Sequence, residues 1–338
     1  FADVQEGCSA TADGYRAGTL GGDHAEGAEA GHGQTVKSVQ AGLTPIVQIH
    51  SSPSWAERCS SPGEPGICNP DPAEFKKFTE AVVERYSGNF LISPYTSLPK
   101  VRYWKPWNEP NLHIYFKPQR KGSQRPSPNL YRALLNGFAA VVKAKDPNNL
   151  VVGGGLAPLG GQNSTNPLDF MRRLLCMKGR AKPVRNKSCN GTARFDIWAT
   201  NPYTTGSPTH SANHPDDVQL GDLPEVTKLI RAAKRAGRIK TSVNNVRLWV
   251  TEFSYDSAPP DPGGLKMPLL KRWTAEAMFR SWQAGFDTFL WLSLRDWNRP
   301  DGVPYSQTYE SGLWFRGETV EQDKPKAVLQ VFRAPFVA

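Results

Sequence analysis

Residues 104–111 read WKPWNEPN, a mostly apolar run that ends with a carboxylate, Glu109, between an amide and a proline. A second run, residues 246–255, reads VRLWVTEFSY and carries Glu252 near its end. Nearly continuous apolar residues of this kind are typical of strands that are covered on both faces in a parallel sheet. The two stretches therefore predict two buried parallel strands, each of which presents a glutamate where it ends.

Short β-rich segments alternate with helical ones along the rest of the chain. The predicted strands are Leu43–His50, Val101–Asn108, Leu150–Gly155, Phe195–Asn201, Val246–Glu252 and Asp287–Ser293, and the predicted helices are Pro72–Tyr86, Pro128–Lys145, Leu223–Ala236, Leu269–Ala284 and Lys324–Val331. This alternation is typical of βαβ units and predicts an α/β fold, a (β/α)8 TIM barrel. The carboxyl ends of the strands build the site in such barrels, so both glutamates are expected at one mouth.

The glutamate segments also carry a resemblance to known enzymes. Residues 107–111, WNEPN, resemble the acid/base strand of clan A glycoside hydrolases, and residues 249–253, WVTEF, resemble the nucleophile strand of that clan. The VVGGG run at 151–155 and the NPY triplet at 201–203 place the resemblance nearest to family 39, although families 5, 30 and 51 share the core motifs. The resemblance implies a retaining glycosidase that uses Glu109 as acid/base and Glu252 as nucleophile, on the fourth and seventh strands.

The same resemblance implies further sugar-binding residues. Asn108 would hydrogen-bond the sugar 2-hydroxyl, Tyr203 would hold the nucleophile, and Trp291 would form a platform beneath the sugar. His50 ends a predicted strand and is a candidate to contact a hydroxyl. Tyr203 and Trp291 could instead be packed aromatic residues, and His50 could be a core histidine. Weaker candidates for subsite walls, equally compatible with packing at the rim, are Trp297, Trp55, Trp107 and Tyr255.

The N-terminal segment departs from the family pattern. Residues 1–33 are rich in Gly and Ala and contain no apolar run long enough for a buried strand, so the first two barrel strands are not recognisable. Arg16 is a poor match for the arginine that the family carries on its second strand. The segment is either altered or truncated, or the barrel closes in an unusual way. Residues 34–338 are expected to form a single catalytic domain.

The five cysteines predict two local disulfides, Cys59 with Cys68 and Cys176 with Cys189, which leaves Cys8 over. Disulfides of this kind indicate a secreted or extracytoplasmic protein, whereas reduced thiols in a cytosolic enzyme are the alternative. The cysteines and histidines lack finger-type spacing, so no metal and no cofactor are expected.

The net charge of +10 needs its own explanation. The basic stretches 117–125, 172–187 and 228–240 lack a nucleic-acid recognition motif, so nucleic acid is not expected as a partner. They form either a solvated basic surface or one that attracts an anionic substrate. No apolar run is long enough to span a membrane. The expected partner is therefore an oligosaccharide or polysaccharide, and a catalytically silent carbohydrate-binding barrel is the alternative function.

Overall fold

The computed structural model describes residue 33 and residues 35–59 and 66–336. The expectations for Cys8, Arg16 and most of the N-terminal segment lie outside these residues. The described residues contain one sheet of six parallel strands: β1 Ile46–Ile49, β2 Tyr103–Pro106, β3 Leu150–Leu156, β4 Ile197–Thr200, β5 Arg247–Val250 and β6 Thr288–Phe289. All six predicted strands are thus confirmed, and most are shorter than predicted.

The strands lie in the sheet in chain order, and each pairs in parallel with the next. Their carboxyl ends therefore meet at one edge, which is the edge where Glu109 and Glu252 follow β2 and β5. The α/β class is confirmed. The described residues form six strands of a parallel sheet rather than the eight of a closed barrel, since β1 and β6 each pair with one strand of that sheet.

Of the six α-helices that the described residues contain after β1, five lie in the crossovers between consecutive strands of the sheet, and the sixth follows β6. They are α1 Pro72–Arg85, α2 Ser127–Lys145, α3 Pro167–Leu174, α4 Leu223–Arg235, α5 Met267–Gln283 and α6 Val328–Arg333, and residues 35–40 are also helical. Asp71 caps α1 by accepting a hydrogen bond from the backbone N–H of Ala73 at 2.8 Å, a contact worth about 1 kcal/mol. The sequence did not predict α3. The predicted start of the last helix was wrong, because Lys324–Pro325 pairs as a strand with Trp314–Phe315.

Smaller elements decorate the loops. The two-stranded pairs are Leu91–Ser93 with Thr96–Ser97, Met177–Lys178 with Val184–Arg185, Ala193–Arg194 with Ile239–Lys240, and Ser257–Ala258 with Leu265–Lys266. Single turns of 3-10 helix are Ser54–Ala56, Leu220–Asp222, Tyr305–Gln307, Val320–Gln322 and Ala334–Phe336.

Strand side chains alternate between two apolar layers. One face packs against the helices, where Trp104 and Val151 are fully buried. The other face holds a small inner cluster of Leu150, Val152, Ile197, Ala199 and Trp249, with Ile46 and Tyr103 packed against it. Gln48 on β1 and Lys105 on β2 lie on the same inner face, two residues after Ile46 and Tyr103. They are paired with each other in the register of the two strands. The inner face thus changes from apolar to polar toward the carboxyl ends of the strands.

Both disulfides expected from the sequence are present. Cys59 is bonded to Cys68 in the loop after β1, and Cys176 to Cys189 in the loop after α3. Each bond closes a loop within a single crossover between neighbouring strands. Across the described ranges, no helix has the length and apolar character needed to span a membrane.

Candidate active site

The side chains of Glu109 and Glu252 meet through a shared amide. Asn201, the first residue after β4, donates from Nδ2 to Glu109 Oε1 at 3.0 Å and to Glu252 Oε2 at 3.1 Å. Its own Oδ1 accepts from the hydroxyl of Thr251 at 2.9 Å, which fixes the amide with its nitrogen toward the carboxyl groups. Because both oxygens lie one hydrogen bond from the same nitrogen, they are within about 6 Å of each other.

The backbone turns sharply to present Glu109. Trp107 and Glu109 have φ angles of 66° and 41°, in the left-handed region that costs non-glycine residues about 1–2 kcal/mol each. Two hydrogen bonds to neighbouring strands hold this turn: Trp107 N–H donates to Ile49 O at 2.6 Å, and Glu109 N–H donates to Gly155 O at 3.1 Å. Strained backbone of this kind is characteristic of functional sites.

Burial controls the protonation of Glu109, whose residue is only 9% exposed. Loss of solvent raises the pKa of this carboxyl group, while the hydrogen bond from Asn201 and the charge of Lys105 lower it, and the net direction is upward. Glu109 therefore stays protonated to a higher pH than an ordinary glutamate. Since Oε1 accepts from Asn201, the proton is carried by Oε2, which is left to donate.

Both oxygens of Glu252 accept hydrogen bonds. The Tyr203 hydroxyl donates to Oε1 at 3.0 Å, and Asn201 donates to Oε2. Burial raises the pKa of Tyr203, and the nearby charge of Glu252 raises it further, so the phenol remains a donor. Two donors aimed at one carboxyl group favour its ionised form.

A cavity of about 430 Å³ opens over the two glutamates. The residues that line it are Asn108, Glu109, Leu112, Tyr115, Ala157, Pro158, Leu159, Gly160, Tyr203, Glu252, Leu292, Trp297 and Tyr309. The structure thus brings three predicted residues, Asn108, Tyr203 and Trp297, to the same cavity as the glutamates. Trp297 is 44% exposed and packs edge-on against Tyr309, with 4.7 Å between ring centroids.

Trp291 and His50 are not among the described residues that line this cavity. Trp291 is buried, packs edge-on against Phe253 and Phe332, and donates from Nε1 to Ser311 O at 2.6 Å. The structure therefore places it in an aromatic core rather than in a sugar platform. His50 is hydrogen-bonded to Ser51, and burial, followed by the charge of Lys105, lowers its pKa.

Sequence reasoning missed several residues of the site. Tyr115 and Tyr309 line the cavity from loops, Asn201 joins the two carboxyl groups, and Lys105 lies below Asn108. The NPY triplet contained a usable signal, because Asn201 directly precedes its proline and is the last residue of a predicted strand. The described residues contain no group of three or more His, Cys, Asp or Glu side chains arranged to hold a metal ion.

Comparison with known proteins identifies the architecture. The GH39 enzyme from Xanthomonas axonopodis pv. citri superposes with a TM-score of 0.54 at 18% identity, over 90% of this chain and 54% of that enzyme. A GH39 beta-xylosidase from Caulobacter crescentus superposes with a TM-score of 0.56 at 16% identity, over 89% of this chain and 56% of that one. The described part of this chain therefore has a fold similar to that of the matched part of these family 39 structures.

The fold is also similar to that of a family 53 structure, and the matched family 39 structures are longer than this chain. The GH53 catalytic domain from Ignisphaera aggregans superposes with a TM-score of 0.51 at 17% identity, over 89% of this chain and 76% of that domain. The chain spans about half the length of the family 39 structures it matches. No protein-family model matches the sequence, and no curated protein matches it.

Proposed function

We propose that this chain is the catalytic domain of a retaining glycoside hydrolase, formed by residues 34–338 as a single (β/α)8 barrel. In this proposal β2 and β5 are the fourth and seventh barrel strands. The order of six parallel strands, the position of the glutamates at their carboxyl ends and the likeness to family 39 structures support it.

The observation that carries the proposal is the bridge from Asn201 to both glutamates. Retaining glycosidases hold their two carboxyl groups about 5–5.5 Å apart, whereas inverting enzymes need about 6.5–9.5 Å to admit a water molecule. Glu109 Oε1 and Glu252 Oε2 both bond to Asn201 Nδ2, which keeps these two oxygens within about 6 Å of each other and supports the retaining arrangement.

The two glutamates differ in the way that the double-displacement reaction requires. Glu252 attacks the anomeric carbon as the glycosidic C–O bond breaks, and Glu109 gives its proton to the leaving oxygen. Glu109, now ionised, then takes a proton from water, the water oxygen attacks the anomeric carbon, and the ester bond to Glu252 breaks. Burial keeps Glu109 protonated for the first step, and Tyr203 and Asn201 stabilise the charge on Glu252.

The lining of the cavity favours a neutral sugar at the cleavage point. The described lining contains two glutamates and no Lys, Arg or His, so a uronic acid would face two carboxyl groups and no cationic side chain at the cavity wall. The Caulobacter neighbour is a beta-xylosidase, which makes a β-xyloside the first substrate to test. The basic surface would attract anionic groups elsewhere on a polysaccharide.

The two disulfides support an exported protein. Bonds such as Cys59–Cys68 and Cys176–Cys189 persist in oxidising compartments and are rare in the cytosol. We therefore place the enzyme outside the cytoplasm, where polysaccharides are degraded.

The test compares wild type, Glu252→Gly and Glu109→Gly on aryl β-xylosides, β-glucosides, β-glucuronides and α-arabinofuranosides, each with and without azide. Wild-type turnover is expected on a neutral glycoside. Azide should restore activity to Glu252→Gly and give a glycosyl azide of inverted configuration, because azide replaces the missing nucleophile. With Glu109→Gly, azide should give the retained configuration, because it attacks the glycosyl-enzyme.

Each outcome decides between alternatives. The same azide stereochemistry in both variants would contradict the assigned roles. A folded wild type that hydrolyses no glycoside and no polysaccharide, but binds oligosaccharide in a calorimetric titration, would favour the silent carbohydrate-binding barrel.

A further inference from the structure

Lys105 occupies an unusual position for a lysine. It lies on β2 on the inner face of the sheet, 5% exposed, directly above the apolar layer and opposite Gln48 on β1. Lysine is almost never so buried unless its ammonium group has partners, because removing the charge from water is costly. The position therefore calls for a specific role.

The neighbouring strand leaves space for this side chain. Gly155 on β3 has a φ of +67°, and a Cβ added there would lie 2.5 Å from Lys105 Cε and 2.7 Å from Nζ. No residue with a side chain could stand at 155 while the ammonium group stays in place. The same glycine accepts the backbone hydrogen bond of Glu109, so one residue accommodates the cation and anchors the acid/base turn.

The contacts of the ammonium group point toward the sugar site. Nζ donates to Gln48 Oε1 and to Asn108 Oδ1, the latter at 3.3 Å. With its oxygen engaged by Lys105, the Asn108 amide presents Nδ2 as a donor, and Asn108 lines the cavity beside Glu109. This is the orientation in which the amide can hydrogen-bond a sugar hydroxyl.

The charge of Lys105 also reaches the acid/base residue. It lowers the pKa of Glu109 and so offsets part of the rise that burial causes. It lowers the pKa of His50 in the same way. The other titratable groups that face Glu109 from the surrounding elements are Glu252, Tyr203, Tyr115 and Tyr309.

We propose that Lys105 is a positioning residue of the glycosidase site: its ammonium group orients the Asn108 amide toward the sugar and holds a positive charge beside the acid/base Glu109. The inference rests on the proposed glycosidase function. Lys105 does not touch the reacting atoms, and it acts through Asn108 and Glu109.

The test uses three variants and the pH dependence of kcat/KM. Lys105→Met keeps about the same side-chain length and removes the charge. The basic limb of the pH profile, where Glu109 loses its proton, should therefore move to higher pH by about one unit. Its kcat should fall about tenfold or more with KM changed less than about threefold, because the Asn108 contact to the sugar strengthens in the transition state. Lys105→Arg keeps the charge and should keep the limb within about 0.3 unit of wild type, at reduced kcat because the space beside Gly155 is small.

Lys143→Met is the matched control. The Lys143 side chain is partly buried, 25% exposed, and its ammonium group pairs with Asp196 at 2.8 Å, but at the amino ends of the strands. The Lys143→Met substitution should lower the free energy of unfolding and leave the basic limb of the pH profile at its wild-type position. An unmoved limb in Lys105→Met, or an equal shift in Lys143→Met, would overturn the proposal.

A second measurement separates this inference from the proposed function. The Glu109 carboxyl group can be titrated by ¹³C NMR in the folded protein without any substrate, assigned by its loss in Glu109→Gln. A higher Glu109 pKa in Lys105→Met would support the electrostatic role even if no glycoside were hydrolysed. An unchanged pKa would refute that role even in an active enzyme.

Discussion

Replacing Asn201 by alanine removes an amide that binds both glutamates, and the basic limb of the pH profile should then move to higher pH. The sign follows from the groups around Glu109. Burial raises the pKa of this carboxyl group, and the hydrogen bond from Asn201 and the charge of Lys105 lower it. Without Asn201, only Lys105 opposes the effect of burial, so the acid form that protonates the leaving group persists to higher pH.

The size of the effect follows from the two bonds that are lost. A hydrogen bond to a charged group contributes about 1.5–3 kcal/mol, and one pKa unit corresponds to about 1.4 kcal/mol, so the limb should rise by about 1–2 units. After the 3.1 Å bond to Glu252 is lost, the Tyr203 hydroxyl still donates to the nucleophile. The same range of energy predicts a fall in kcat of about ten- to hundredfold.

The assay is kcat/KM from pH 4 to pH 9 on the best aryl glycoside, with Asn111→Ala as control. Asn111 is equally buried and lies near Glu109, but its amide donates to the backbone oxygens of Ala157 and Thr165 at 3.2 Å each. Its loss should destabilise the loop and leave the basic limb in place. A limb that stays fixed in Asn201→Ala, or that moves equally in both variants, would refute the reasoning.

Two further predictions concern binding and stability. Trp297→Ala should raise KM about tenfold and leave kcat unchanged, because an exposed ring that lines the cavity contributes equally to binding of the substrate and of the transition state. The KM of Trp297→Phe should stay within about threefold of the wild-type value. A fall in kcat at constant KM in Trp297→Ala would contradict this prediction. Lys326→Met should lower the free energy of unfolding in urea by about 3–5 kcal/mol, because Lys326 is fully buried and its ammonium group lies 2.5 Å from Asp296. The exposed Lys324→Met should change it by less than about 0.5 kcal/mol, and a similar loss in both variants would show that the buried pair is not the cause.

The sequence predicted the sheet well because its four inner strands are mostly buried on both faces. All seven residues of β3 are buried, so the apolar run coincides with the strand. The helix α3 was missed because Pro167–Leu174 has only eight residues, too few for a clear helical period. Lys324–Pro325 was taken as helix because the sequence does not show that Trp314–Phe315 is available as a pairing partner.

The site was predicted where one local motif carries the information. Glu109 and Glu252 are recognisable from the residues next to them in the sequence. The role of Asn201 depends on Glu109, 92 residues away, and that of Lys105 depends on Gln48, 57 residues away. A lysine inside an apolar run was the available signal for Lys105.

Trp291 shows where the pattern misled. Trp291 comes two residues after Phe289 of β6, so strand alternation puts both rings on the helix-facing side of the sheet, where each packs against Phe253. The ring turns into the core instead of toward the cavity.

The two disulfides have a consequence for how the chain matures. They join cysteines 9 and 13 residues apart, whereas the β1–β2 pairing joins residues 57 positions apart, such as Ile46 and Tyr103. Closing a short loop costs less chain entropy than closing a long one, and sheets built from distant segments form slowly. Among all possible pairings of the five cysteines, the two described bonds close the shortest loops. Oxidation therefore favours the correct bonds while the chain is still unfolded, before any strand has found its neighbour.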